Sequence, residues 1–129
     1  VMVQKEVAER FVATARTPAY GAVSVKIAYW ATAKMVGDVP ASVFIPKPNV
    51  ASALVDIRRH ASPAVANVDP QQLFTLVRAG FAQRRKMLRR CLSAMVTPAA
   101  FTKADVPPEA RAEELDIQAW GRLCVAVNS

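Results

Sequence analysis

Glycine is scarce in this chain of 129 residues: only Gly21, Gly37, Gly80 and Gly121 occur, and no two of them form a Gly-x-Gly pair. A nucleotide-cradling turn, in which backbone approaches a ligand too closely for a Cβ, therefore has no signature here. Cysteine is scarcer still. Cys91 and Cys124 lie far apart with no Cys-x-x-Cys, and without a secretion signal they read as two reduced core thiols rather than a disulfide or metal pair. The single histidine, His60, has no ligand-type neighbour, so no metal site is expected. No apolar run approaches the roughly 20 residues that a membrane-spanning helix requires, and the first residues lack a basic stretch followed by an apolar one. The chain reads as soluble, unexported and cytoplasmic. Acidic residues are also few, 10 against 17 Lys and Arg, and the resulting net charge of +7 suits a polyanionic partner without specifying one.

Apolar residues are plentiful: at 53% hydrophobic the chain can fill one ordinary core. VMVQ at 1–4 reads as a buried strand, and a strand that starts at the first residue has no neighbours before it, so the chain reads as truncated. Residues 4–15 carry Val7, Ala8, Phe11 and Val12 at helical spacing. Thr17-Pro18 and Gly21 break the chain before a second helix over 22–32, where Val25, Ala28 and Tyr29 share a side and Tyr29 and Trp30 pack. Residues 33–39 and 51–59 read as an antiparallel pair closing a sheet edge, the second alternating Ala53, Val55 and Ile57 against Leu54, Asp56 and Arg58. Residues 60–68 read as a linker. Asp69 followed by Pro70 is a helix start, and Leu73, Phe74 and Val77 continue it to Gly80. Thr97-Pro98 reads as a helix end, Phe101 and Val106 as satellite core, and 117–127 as a docking helix with Ile117, Trp120, Leu123, Cys124 and Val127 on one face.

The basic run FAQRRKMLRRC, 81–91, constrains the geometry. In one continuous helix Arg84 and Arg85 would fall within the apolar stripe that includes Phe81 and Leu88, and burying two unpaired guanidiniums there is prohibitive. The helix must therefore bend between Gly80 and Arg85, turning both arginines outward, before a second helix with the stripe Leu88, Leu92, Met95. Lys86, Arg89 and Arg90 then lie on its wet side. A solvated face and a phosphate-gripping face are both compatible with that arrangement.

Residues 39–55, VPASVFIPKPNVASALV, set one aromatic, Phe44, in a loop stiffened by Pro40, Pro46 and Pro48. Taken alone, Phe44 could be a core plug. The stretch resembles the loop that KsgA-type ribosomal RNA adenine dimethyltransferases present beside the target base. QKEVAERF at 4–11, AYGAVSV at 19–25, FAQRRKML at 81–88 and RAEELD at 111–116 follow in the family's order. The resemblance covers the family's C-terminal half only. It implies an α+β fragment: C-terminal strands and helices of a Rossmann-like methyltransferase sheet over 1–62, followed by a small all-α, RNA-binding domain over 63–129.

By the same resemblance the whole enzyme would transfer methyl groups from S-adenosylmethionine to adenine N6 in small-subunit ribosomal RNA. Phe44 would stack on the extruded base as the catalytic contribution of this half. Arg84, Arg85 and Lys86 would grip phosphates, together with Arg10, Lys47, Arg89, Arg90 and Arg111. The family's Asn-(Leu/Ile)-Pro-Tyr loop has no counterpart, since Pro18-Ala19-Tyr20 lacks the Asn and the spacing. The chain alone is thus expected to bind RNA but neither cofactor nor metal, and to self-associate through an exposed sheet edge. Two other readings stay open: an Erm-type enzyme acting on large-subunit RNA, and a non-catalytic ribosome-assembly module.

Overall fold

Strands β1 (Met2–Gln4), β2 (Ala31–Val39) and β3 (Ser52–Arg59) form an antiparallel sheet in the order β1-β3-β2 in the computed structural model, which describes residues 1–40, 42 and 51–128. The β2–β3 pair expected from the alternation is present. Ala53 and Val55 point to the covered face, where Ala8 of helix α1 (Lys5–Val12) is buried against them among Val3, Val12, Ala33 and Met35. The register shifts between Met35 and Gly37, and the extra residue, Val36, is turned out to solvent. The 1–4 segment is a strand but not a buried one, because β1 is an edge: Val1 and Met2 are exposed. Ile57 is exposed as well, since the covering helix reaches only as far as Val55.

Helix α2 (Ala22–Trp30) leaves this small core for a larger one. Tyr20, Val25 and Tyr29 join α3 (Pro70–Phe81), α4 (Leu88–Cys91), α5 (Pro98–Ala104) and α6 (Ile117–Val127) around Leu73, Leu88, Leu92, Phe101 and Trp120. Between α5 and α6 lies a short 3-10 turn, Ala112–Glu114. The larger core thus crosses the 62/63 division suggested by the sequence. Residues 60–68 carry no regular structure, yet they are held: Ala64 N–H donates to Tyr29 O at 3.0 Å, and Gln118 donates to Ala64 O at 3.2 Å. Beyond Arg59 the described residues contain helices and turns and no strand.

The helix starts follow from their caps. The Asp69 carboxylate accepts from Gln71 N–H at 2.9 Å ahead of Pro70, and Asp116 accepts from Ala119 N–H at 2.9 Å. Thr97 does the same for Ala100 N–H at 3.2 Å, so Thr97-Pro98 starts α5 rather than ending a helix. Phe101 and Val106 accordingly belong to the main core, not to a satellite. In the stripe after the basic run Val96 is buried where Met95 was expected, because α4 closes after one turn and shifts the phase. Both thiols are free: Cys124 is buried, whereas Cys91 is only half-buried.

Candidate nucleic-acid interface

The break in the basic run lies where the burial argument puts it. Helix α3 stops at Phe81, residues 82–87 turn, and α4 begins at Leu88. Gly80 allows the fully buried Trp120 to pass close to α3, for a Cβ there would meet its ring at 2.7 Å. Leu88 and Arg89 donate their backbone N–H groups to Ala110 O (2.8 Å) and Pro108 O (3.0 Å), which docks α4 beside the residue preceding Arg111. The Cys91 thiol points back at the turn, donating to Gln83 O at 3.3 Å. The result is a held corner with Arg85, Lys86, Arg89 and Arg90 all exposed. Among the described residues none of these four forms an ion pair, nor does Arg111.

Arg84 behaves differently from its neighbours. Its side chain is 44% exposed, but its guanidinium donates to Tyr20 O at 2.7 Å, lies 3.6 Å from the Glu113 carboxylate, and rests over the Phe81 ring at 5.5 Å. Both arginines are turned outward as expected, but only Arg85 is free of protein partners among the described residues. Arg84 and Arg10 both line one cleft of about 550 Å³, together with Glu6, Glu9, Gly21, Ser24 and Phe81. Arg10 is paired with Glu6 at 3.3 Å on the exposed side of α1. Phe44 and Lys47 lie outside the described residues.

Sequence reasoning missed the network behind this corner. Arg16 has a left-handed backbone, φ 70°, held by its N–H donating to Glu113 O at 2.7 Å and by an ion pair to Glu114 at 3.7 Å. The Tyr20 hydroxyl donates to Leu115 O at 2.6 Å. Burial first, and then the negative charge of Asp116, hold this phenol well above its ordinary pKa. The RAEELD stretch therefore ties the segment before α2 to the helical part of the molecule. No local pattern announces such partners, which are far apart in the chain.

Among the described residues no glycine-rich turn of the kind that cradles a nucleoside cofactor is present. All four glycines have negative φ or extended backbone, Gly80 and Gly121 are occupied by packing, and none opens a turn after a strand that could cradle a nucleoside. Among the described residues no group of three or more His, Cys, Asp or Glu side chains is placed to hold a metal, and no helix is long and apolar enough to cross a membrane.

The fold matches solved methyltransferases. A dimethyladenosine transferase from Plasmodium falciparum superposes with a TM-score of 0.85 at 22% identity, covering 98% of this chain and 55% of that one. The 23S rRNA methyltransferase ErmE superposes at 0.65 with 23% identity, covering 99% and 53%. An α+β methyltransferase fold is the class these likenesses define. The chain belongs to the ribosomal RNA adenine dimethylase family, whose profile matches residues 1–128. Curated relatives named ribosomal RNA small subunit methyltransferase A, from Cutibacterium acnes and Acidothermus cellulolyticus, are 45% and 44% identical, each over 98% of this chain. The chain spans about half the length of these relatives, 46% and 45% respectively.

Proposed function

We propose that this chain is the RNA-gripping part of an S-adenosylmethionine-dependent adenine N6-dimethyltransferase that acts on small-subunit ribosomal RNA in the cytoplasm. One observation carries the reading: a hydrogen-bonded corner on a member of this family presents Arg85, Lys86, Arg89 and Arg90 to solvent with no carboxylate paired to them. Such a corner suits the regular negative charge of an RNA backbone, with Arg111 beside it and Arg10 in the neighbouring cleft that Arg84 also lines. Phe44 is the stacking plate for a base drawn out of the RNA, with Lys47 close by in sequence. Stacking of this kind is worth about 1–3 kcal/mol per base. The methyl donor binds in residues outside this chain, so the chain alone binds RNA and does not catalyse. The small-subunit reading is preferred to the Erm-type one because the curated relatives carry that name. The chain also pairs with itself through its open sheet edge.

A salt titration against a synthetic small-subunit RNA hairpin tests the reading. Each phosphate contact contributes roughly 0.7–0.9 to the slope of log affinity against log salt, so replacing Arg85, Lys86, Arg89 and Arg90 together by Gln flattens it by about three units. An unchanged slope assigns the four to ordinary solvated surface.

A further inference from the structure

Arg84 sits in the same basic run as Arg85 and Lys86, yet its surroundings differ from theirs in kind. Its charge already has a counter-ion in Glu113 at 3.6 Å, as that of Arg10 has in Glu6, but unlike Arg10 it also commits an N–H group to a distant backbone carbonyl, Tyr20 O, at 2.7 Å. Transfer of this guanidinium to a phosphate would exchange one anion for another and strip Tyr20 O of its donor. For Arg85 and Lys86 the same transfer displaces only water. The partners of Arg84 are themselves tied together, since Glu113 O holds Arg16 N–H and Leu115 O holds the Tyr20 hydroxyl. Three segments, 16–20, 82–87 and 113–115, therefore close on one another around this side chain.

We infer that Arg84 is a positioning residue rather than a phosphate contact: with Glu113 it clamps the 82–87 turn to the segment before α2, and so fixes the basic corner relative to Arg10, which lines the same cleft and whose carbonyl accepts from the Ser24 hydroxyl of α2 at 2.6 Å. The inference rests on the RNA-binding reading above and divides the labour within it. A single RNA that meets both the corner and Arg10 binds more tightly when their separation is set in advance. Glu113, an acid, then supports RNA binding, although on charge alone its removal would strengthen attraction to a polyanion.

The test has two arms. Without RNA, hydrogen exchange on the intact chain is expected to quicken at amides of 82–87 and at Arg16 when Glu113→Gln is made. With a synthetic RNA hairpin, Arg84→Gln and Glu113→Gln each weaken binding about fivefold at an unchanged folded fraction, with the salt slope unaltered. The double variant is no weaker than either single one. Arg84→Lys behaves like Arg84→Gln, because lysine keeps the charge but not the planar fork over Phe81. Arg85→Gln instead lowers the slope by about 0.7–0.9. Tighter binding by Glu113→Gln, wild-type binding by Arg84→Lys, or a slope loss in Arg84→Gln matching that of Arg85→Gln overturns the positioning role and leaves RNA binding intact. Unchanged exchange in Glu113→Gln overturns the clamp on its own. A wild-type chain that ignores the hairpin while exchange still quickens refutes the RNA reading and the positioning role built on it, but not the clamp.

Discussion

At the scale of single residues, the least legible positions are those whose reason lies far away in the chain. Gly121 is buried in α6, and a Cβ there would stand 2.3 Å from Val65 Cγ1, in a stretch whose composition reads as linker. Gly121→Ala is therefore expected to cost about 1–3 kcal/mol by overpacking, read as a lower urea midpoint at constant m-value. Tyr20 gives a pH dependence. Burial and then Asp116 raise its phenol, while Tyr29 and the Cys124 thiol are also raised, by burial first and then by Asp69. Each group holds its proton more tightly in the fold than in the unfolded chain. The stability they contribute is therefore complete below their ordinary pKa values, near 9 for the thiol and 10.0 for the phenols, and is lost as pH rises through them toward the folded values. Melting temperature should fall progressively from about pH 9 upward. Tyr20→Phe loses the bond to Leu115 O and starts lower at neutral pH, but its decline above pH 10 is shallower. A decline as steep as wild type would place the alkaline loss elsewhere.

At the scale of elements, local chemistry was readable where one signal had one meaning. Asp69-Pro70 can only begin a helix, and it does. The break after Phe81 was readable because burying two arginines has so large a penalty that geometry must yield. Thr97-Pro98 carries the same start signal as Asp69-Pro70, but it follows an apolar stripe and so reads equally as an end. What decides is the Thr97 hydroxyl, which caps Ala100 N–H, with Phe101 filling the core behind it. Thr97→Ala should then destabilise the chain by about 0.5–2 kcal/mol in urea unfolding, whereas Thr97→Ser should retain most of the stability. If alanine proved neutral, packing of Phe101 alone would hold α5 in place. The interface was readable in part: its cations cluster in sequence, but the ties of the exposed Arg84 run to Tyr20 O and Glu113, which no spacing rule connects to it.

For the whole molecule, the sheet and the helical part are unequal. The helices and α2 share the large core, while the sheet has one covered face and a small cluster around Ala8, Ala53 and Val55. Its other side carries apolar groups in the open: Met2 and Leu54 are directly paired across β1 and β3 and are 49% and 40% exposed, and the bulge residue Val36 is exposed as well. Strand β1 bonds β3 on one side only, so among the described residues its second row of backbone donors and acceptors has no strand against it. An edge with unpaired backbone and exposed apolar side chains is a template for another strand, and the nearest equivalent strand at high concentration is that of a second copy. The net charge of +7 opposes this association at low salt and is screened within about 10 Å at 0.1 M salt. Light scattering should therefore report a mass that rises with protein concentration, and more steeply as salt is added. Met2→Lys together with Leu54→Lys should return the chain to a monomer, because charges on an edge face repel their own copies and resist burial. The basic corner, on the helical part, should bind the RNA hairpin equally well in both forms. A wild-type chain that stays monomeric at high concentration and high salt would mean that the edge is protected, and association through β1 would be wrong.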